Sequence, residues 1–206
     1  RVESWGGAGL SRSRPWTIPL MVIHQRRTDL AAKKTTPGGD VNSDGDTIVT
    51  KKNSGDGFAN GLDIRYVNRW GTDWTLSGSA SWITGDLDTP VAPGVSETAP
   101  LSRLAPAMVR IALKKQFSNQ IELLSVLTAA DRQDRLSPRD IADVQRIPVG
   151  GTPGYIVLDL HATYPWKPNI EIFGSLTNLT NQDYRIHGSG TNEPGFNLIF
   201  GVDTQF

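Results

Sequence analysis

Cysteine is absent from the 206 residues, which excludes disulfides, thiolate metal sites and a cysteine nucleophile. The chain also lacks an excess of either charge, because 21 Lys and Arg residues balance 21 Asp and Glu residues. We therefore expect no nucleic-acid partner, since phosphate binding requires a basic excess. The longest stretches without Asp, Glu, Lys or Arg are 12 residues, at Trp74–Gly85 and Ile147–Leu158. A membrane-spanning helix needs about 20 apolar residues, so only the weaker, alternating signal of a transmembrane β-barrel is compatible with this sequence.

Alternation of apolar and polar residues recurs along the chain, whereas helical periodicity is not sustained anywhere. In Trp74–Trp82, large or small apolar residues alternate with Thr and Ser. A period of two residues is the signature of a β-strand with one apolar and one polar face. The seven predicted strands are Gly61–Trp70, Trp74–Trp82, Val109–Phe117, Ile121–Ala129, Ile156–Tyr164, Ile170–Leu176 and Phe196–Phe206, and Trp16–His24 is a poorer eighth.

The predicted connections alternate between short and long, which is the layout of outer-membrane barrels. Gly71–Asp73, Ser118–Gln120 and Pro165–Asn169 are short, whereas Asp86–Arg103, Asp131–Gly154 and Thr180–Gly195 are long. Aromatic residues fit a membrane interface, where one side is apolar and the other is wet. Their clustering at the short turns favours a membrane barrel over a soluble β-sandwich, and they are Trp70, Trp74, Phe117, Tyr164 and Trp166.

Several motifs in the second half of the chain carry a family resemblance. The chain resembles the C-terminal part of the β-barrel of a TonB-dependent outer-membrane receptor over about Asn53 to Phe206. A last strand that ends in an aromatic residue is part of this resemblance. The other segments that carry it are Asn53–Gly57, Gly61–Asp63, Leu101–Pro106, Leu136–Asp140, Arg146–Tyr155, Asn178–Asn181, Asp183–Gly190 and Asn192–Gly195.

The resemblance implies an all-β fold, an antiparallel transmembrane β-barrel segment of about 7–8 strands within a barrel of about 22 strands. It implies a place in the outer membrane of a Gram-negative-type bacterium and uptake of a scarce nutrient such as a ferric siderophore, cobalamin or haem. The TonB complex would supply the energy through a plug that this chain lacks. The implied partners are outer-membrane lipid, TonB, a metal chelate or similar nutrient and the barrel-assembly machinery, for which Phe206 would be the signal. Neither an enzymatic activity nor a cofactor is implied.

Residues 1–34 match nothing in this family and contain seven Lys and Arg residues against two acidic residues. We therefore predict two parts, a poorly assigned stretch over 1–34 and a C-terminal portion of a receptor barrel over 35–206. Seven or eight strands are too few for the complete barrel of such a receptor, so we expect the chain to be a fragment.

Candidate ligand contacts lie in the predicted long loops. Arginine can bind the carboxylates or phosphates of an anionic metal chelate in a bidentate manner. Four Asp residues accompany four Arg residues between Asp131 and Arg146, so the alternative is a loop whose charges pair with one another. The candidates for a ligand-entrance surface are Arg132, Arg135, Arg139, Arg146, Tyr184, Arg185 and His187.

A polar stretch near the start of the chain matches the first half of a calcium-binding loop, with oxygen ligands at alternate positions around a glycine. The residues are Asp40, Asn42, Asp44 and Asp46. Lys51 stands at the twelfth position, where such a loop needs a bidentate Glu. A polar, turn-rich loop without calcium is therefore the alternative.

Charged residues on the polar faces of the predicted strands would face a wet barrel interior, because on the lipid face at mid-depth they would be costly. They are Asp63, Arg65, Arg69, Arg110, Lys114, Glu122, Asp159, Glu171 and Asp203.

Two alternative functions remain open from the sequence. A complete eight-stranded structural or adhesion barrel requires Trp16–His24 to pair with Phe196–Phe206. An outer-membrane hydrolase requires a Ser or Asp next to His161 or His187 in space.

Overall fold

A computed structural model describes residues 2–5, 16–17, 20–27, 31–35, 49–53, 56–92 and 95–205, with side chains over 56–88 and 95–205. None of the helices in this part of the chain has the length and apolar character needed to cross a membrane. The elements are β1 (Val2–Trp5), β2 (Trp16–Thr17), β3 (Leu20–Arg27), β4 (Ala31–Thr35), β5 (Val49–Asn53), β6 (Asp56–Trp70), β7 (Trp74–Ala92), β8 (Val95–Pro100), β9 (Met108–Gln116), β10 (Glu122–Ala130), α1 (Pro138–Ala142), β11 (Tyr155–Lys167), β12 (Ile170–Thr177) and β13 (Asn197–Thr204).

Eleven of the strands form one antiparallel sheet in the order β1-β3-β6-β7-β9-β10-β11-β12-β13, with β2 on β6 and β8 on β7. Strands β4 and β5 form a separate pair. From β9 onward each strand pairs with the next strand in the chain. The sheet is therefore an up-and-down meander, which confirms the predicted all-β antiparallel architecture.

The seven predicted strands correspond to β6, β7 and β9–β13, with boundaries that differ by a few residues at most ends. The predicted strand Trp16–His24 is divided into β2 and β3, and both pair with β6. The prediction of a loop over Asp86–Arg103 is wrong in most of its length, because β7 continues to Ala92 and β8 pairs with its end. This ribbon contains Pro90 and charged residues, so it does not alternate as a membrane-facing strand does.

One face of the sheet is apolar and exposed. The pairings place Leu62 opposite Trp82 and Gly174 opposite Phe200, and Trp82 and Phe200 are 48% and 72% exposed. We call this side, which also carries Ile111 and Leu127, the outer face, and the opposite side the inner face. A continuous apolar surface of this extent marks contact with a membrane or a partner.

The short turns lie at one rim of the sheet, here called the turn rim, and they carry exposed aromatic side chains. Lys115 lies on the outer face at this rim, with its Nζ 4.5 Å from the ring centroid of Trp74 and paired with Asp73. The hydrogen bond from Lys115 lowers the pKa of Asp73. This lysine of the outer face thus lies at the rim and not in the middle of the face, and its charge is balanced by Asp73. The exposed aromatic residues are Trp70, Trp74, Phe117, Tyr164 and Trp166.

Few hydrophobic side chains are buried among the described residues, and those in the strands lie on the inner face, away from the turn rim. Val126, Ala130 and Val157 are 8% exposed or less. Tyr155 completes the buried cluster, and Met108 packs against it. A sheet with an exposed apolar face and so few buried side chains has the character of a wall, because a globular domain would cover its apolar face.

Two carboxylates oppose each other in the last strand pair, where Glu171 of β12 lies directly across from Asp203 of β13. Like charges in this arrangement are destabilising. We expect Glu171→Gln to raise the free energy of unfolding by about 0.2–1 kcal/mol, measured as the urea midpoint in detergent. Glu122→Gln is the matched control, because Glu122 forms an ion pair with Lys114 at 3.0 Å. Loss of this favourable pair should not raise the free energy of unfolding. A lower midpoint for Glu171→Gln would contradict the repulsion.

Candidate ligand-entrance site

Three loops meet at the end of the sheet opposite the turn rim. The first loop comprises residues 101–107, the second residues 131–154 and the third residues 178–196. Loops at this end of a β-wall have no regular pairing partner, so side chains must satisfy their backbone groups.

Asp140 joins the first loop to the second. Its side chain is buried, at 2% exposure for the residue, and its Oδ1 accepts a hydrogen bond from Ser102 Oγ at 2.8 Å. Its Oδ2 accepts from the backbone N–H of Arg103 at 3.1 Å and from that of Ser137 at 3.1 Å. Ser137 in turn accepts from the Asp140 N–H, which completes a capping box at the start of α1. Burial opposes ionisation, but these hydrogen bonds outweigh it and hold the pKa of Asp140 below its ordinary value.

Gln133 and Thr152 continue this network through the second loop to the third. Their backbones pair as an isolated bridge, and Gln133 Nε2 donates to the carbonyl of Leu104 at 2.9 Å. Thr152 Oγ1 lies 2.9 Å from His187 Nδ1 of the third loop. Gly151 has φ of +101°, and a Cβ there would collide with the Gln133 carbonyl, so the bridge requires glycine.

Asn178 organises the third loop from its first residue. It is 3% exposed, with φ of +50°, and its Nδ2 donates to the carbonyls of Gln182 and Pro194 at 2.9 and 3.0 Å. Its Oδ1 accepts from the Gln182 N–H and from Thr180 Oγ1, both at 3.0 Å. The side chain of Asn178 therefore hydrogen bonds to the backbone near both ends of the third loop.

Tyr184 covers the buried cluster of the inner face, with its ring centroid 4.4 Å from that of Tyr155. Burial first, and then the carboxylate of Glu193, raise the pKa of Tyr184. Its hydroxyl is consequently a neutral donor at physiological pH. The third loop thus folds over the inner face of the sheet rather than outward.

A cavity of about 120 Å³ lies where the three loops meet. Its lining includes Arg103, Thr152, Tyr155, Arg185 and His187. The Nε2 atom of His187 is buried, and no hydrogen-bond partner for it exists among the described residues. Two guanidinium groups and an imidazole at one small cavity can bind oxygen atoms of a ligand.

Burial lowers the pKa of His187; Asp140 opposes this effect and Arg103 adds to it. An unfolded histidine titrates near pH 6.5, so the neutral ring stabilises the folded loop fully above this pH. That contribution is lost as the pH falls below about 6.5 and through the lower folded pKa. We expect hydrogen-exchange protection of residues 186–191 to decrease over this range. His187→Gln should abolish the dependence, whereas His161→Gln should retain it. Protection that is constant between pH 7 and 5 in the unsubstituted chain would contradict the expectation.

The predicted loop arginines do not converge on this cavity. Arg132 Nη2 donates to the carbonyl of Gly150 at 2.9 Å, and Arg135 Nη2 pairs with Asp86 at 2.6 Å. Arg146 Nη1 lies 3.4 Å from Asp143 Oδ2, and Arg139 is exposed in α1. Three of the four thus have partners in the loops and strands.

The candidates in the third loop lie close together in the structure. Their closeness in the sequence was the only reason to expect this. Arg185 and His187 line the cavity, and Tyr184 packs on Tyr155 beside it. Arg185 Nε also donates to Asn192 Oδ1 at 2.9 Å. The structural importance of Asp140 and Asn178 was missed. The S-x-x-D pattern of Ser137–Asp140 is a capping-box signal that could have identified the first of them.

Two predictions lie outside the described residues: the calcium loop of Asp40, Asn42, Asp44 and Asp46, and the assembly signal Phe206. Within the described part of the chain, no group of three or more His, Cys, Asp or Glu side chains could hold a metal ion.

The hydrolase alternative required a Ser or Asp next to His161 or His187, and Ser175 Oγ does lie 2.9 Å from His161 Nδ1. Among the described residues, no carboxylate makes a hydrogen bond or ion pair with His161, so the pair lacks the orienting acid of a triad. The eight-stranded alternative required pairing between the first and last predicted strands. Within the described chain β3 pairs with β1 and β6, and β13 pairs with β12, so this closure does not occur.

No protein-family model matches the chain, and no curated protein matches it. Solved structures do match. The FrpB iron transporter from Neisseria meningitidis (F3-3 variant) is 16% identical, with a TM-score of 0.71 over 95% of this chain and 30% of that chain. The copper transporter OprC is 16% identical, with a TM-score of 0.68 over 94% of this chain and 28% of that chain. The ferric-catecholate import receptor Fiu from E. coli K12 is 15% identical, with a TM-score of 0.65 over 98% and 27%.

These proteins are TonB-dependent receptors, and this chain has the fold of part of their β-barrel. The resemblance found in the sequence is thereby confirmed at the level of the fold. The chain spans less than a third of the length of each of these structures. The three are named as transporters or as an import receptor.

Proposed function

We propose that this chain is the C-terminal barrel wall of a TonB-dependent receptor that imports an anionic metal chelate, such as a ferric siderophore, across the outer membrane of a Gram-negative-type bacterium. Cobalamin and haem are the other nutrients considered. The observation that supports this most strongly is a meandering antiparallel wall whose apolar face is exposed and whose loops are cross-linked at one end.

In this proposal the outer face contacts lipid and the turn rim lies at the periplasmic side. The energy comes from TonB through a plug outside this chain, and the barrel-assembly machinery recognises Phe206. Ligand would enter past the loop candidates, of which Arg185 and His187 are at the cavity. The other proposed entrance residues are Arg132, Arg135, Arg139, Arg146 and Tyr184. The proposal also includes a calcium ion at Asp40, Asn42, Asp44 and Asp46.

The test is uptake of ⁵⁵Fe chelates by a Gram-negative host that lacks its own iron receptors and expresses the full-length receptor. We expect uptake of at least one chelate in cells with TonB and none in matched cells without TonB. Outer-membrane fractionation controls for expression in both strains. Uptake that is equal with and without TonB would contradict the proposed function.

A further inference from the structure

The inner face carries a pattern of charges that the entrance site does not use. In the register of the sheet, Arg65 of β6 lies opposite Ser79 of β7, and Ser79 lies opposite Arg110 of β9. Adjacent strands are about 4.8 Å apart, so the two arginine backbones are about 10 Å apart with a hydroxyl residue between them. We call these three residues the upper rung.

The same arrangement occurs again four residues closer to the turn rim. Arg69 lies opposite Thr75, and Thr75 lies opposite Lys114. We call these residues the lower rung. Four residues of strand correspond to about 13 Å. Two rungs, each with two cations that flank a hydroxyl, therefore follow one another along the inner wall.

The rungs have a positive charge that their neighbours only partly neutralise. Arg65 Nε lies 3.1 Å from Asp63, and Lys114 Nζ lies 3.0 Å from Glu122. Arg69 and Arg110 make no ion pair with any of the described residues. Four cations minus two carboxylates leave two positive charges on this part of the wall. The side chain of Arg65 is 67% exposed, so its guanidinium is accessible.

A hollow of about 440 Å³ lies beside the upper rung. Arg65 and Arg110 line it, together with Ser77, Ser79 and the apolar side chain of Leu124. This volume falls within the range of small-molecule sites, and its mostly apolar lining with a few polar groups is typical of them. Guanidinium groups at two sides of one hollow can bind carboxylate, phosphate or phenolate oxygens in a bidentate manner.

Besides Asp63 and Glu122, three further carboxylates of the inner face lie on the last three strands of the sheet. Glu171 and Asp203 are on β12 and β13, and Asp159 of β11 lies opposite Val126, which lines the hollow on its β10 side. The inner wall is consequently polarised, with its positive side over β6–β9. An anion inside the barrel would be attracted to the rungs and repelled from the last three strands.

We propose that the two rungs form an anion-binding track on the inner wall, which takes the carboxylate, phosphate or phenolate groups of a small anionic chelate as it passes from the loops toward the turn rim. This inference rests on the proposed uptake function. The upper rung is the stronger site, since the hollow lies beside it.

The experiment uses the purified full-length receptor in detergent and ¹⁴C-citrate as a probe anion, at low salt, by equilibrium dialysis. We expect R65Q/R110Q to bind citrate at least about tenfold more weakly than the unsubstituted receptor, because two charge-assisted contacts are lost. Lys167→Gln is the matched control, because it also removes a cation, one that lies over the Trp166 ring at the turn rim. The affinity of the Lys167→Gln receptor for citrate should stay within about twofold of that of the unsubstituted receptor. Added NaCl should weaken binding to the unsubstituted receptor.

The TonB-dependent uptake assay runs in parallel and separates the two proposals. If uptake requires TonB but R65Q/R110Q binds citrate normally, the track is wrong and the uptake function stands. If citrate binding follows the rungs but uptake does not depend on TonB, the track stands and the uptake function fails. If the unsubstituted receptor binds no citrate, the track is overturned. If R65Q/R110Q then also had a lower thermal unfolding midpoint, we would conclude that these arginines form ion pairs with acidic side chains of the receptor itself.

Discussion

Replacing Asp140 by alanine is expected to separate the first loop from the second. Three donors, Ser102 Oγ and the N–H groups of Arg103 and Ser137, would lose the buried Asp140 carboxylate as their acceptor. A hydrogen bond to a charged group contributes about 1.5–3 kcal/mol. We expect a loss of this size in local stability, measured as hydrogen-exchange protection of residues 101–104 and 137–142.

Asp143→Ala is the matched control for this prediction. Asp143 lies on the next turn of the same loop and pairs with Arg103 at 3.2 Å and Arg146 at 3.4 Å, but its side chain is 24% exposed. Partly exposed ion pairs contribute about 0–1 kcal/mol. Equal effects of the two substitutions would show that burial of Asp140 is not what stabilises the loops.

The low pKa of Asp140 adds a pH test of the same network. A carboxylate whose folded pKa is depressed stabilises the fold above its unfolded pKa, near 3.9, and this contribution is lost as the pH falls through the folded value. Protection of the first loop should therefore persist to about pH 4 and decrease only below it. The His187 contribution is lost at higher pH, below about 6.5, so the first and third loops should loosen in two separate steps on acidification.

The strands of the wall could be predicted from the sequence because each has an apolar face and a polar face. In Trp74–Trp82 the alternation is nearly perfect, and β7 begins at Trp74. Toward Ala92 the same strand continues without alternating apolar residues, so the sequence from Asp86 onward predicts a loop there. Alternation therefore predicts where a strand has one apolar face, but it does not predict where the strand ends.

The site was less predictable, because the sequence shows how many charged residues the loops contain but not which of them form ion pairs. The balance of four Arg and four Asp residues over 131–146 indicated a self-paired loop as one alternative, and the pairs of Arg132 with Asp134 and of Arg146 with Asp143 agree with it. Asp140, by contrast, binds backbone N–H groups and Ser102, whose position next to it depends on the fold of two distant loops. No local pattern specifies such a long-range contact.

Asn178→Asp is expected to have the other large effect, although the two side chains have the same shape. The Nδ2 group of Asn178 donates to the carbonyls of Gln182 and Pro194, and an aspartate oxygen there would place a negative charge against two carbonyl oxygens. The Oδ1 position would keep its donors Gln182 N–H and Thr180 Oγ1, but the second oxygen would be buried against two acceptors with no donor, which is strongly unfavourable. We expect a loss of about 3 kcal/mol or more in the stability of the third loop, measured by hydrogen exchange over residues 182–194.

Asn181→Asp is the control, because it makes the same chemical change three residues away. Asn181 Oδ1 only accepts, from the Phe196 N–H at 3.0 Å, and the residue is exposed. An aspartate keeps that acceptor, so the substitution should change stability by less than about 1 kcal/mol. Both asparagines have positive φ, of +50° and +46°, so backbone strain is matched between the two variants. A large difference between them would therefore come from the two donated hydrogen bonds of Asn178. If both variants were equally mild, the third loop would not depend on Asn178 for its closure.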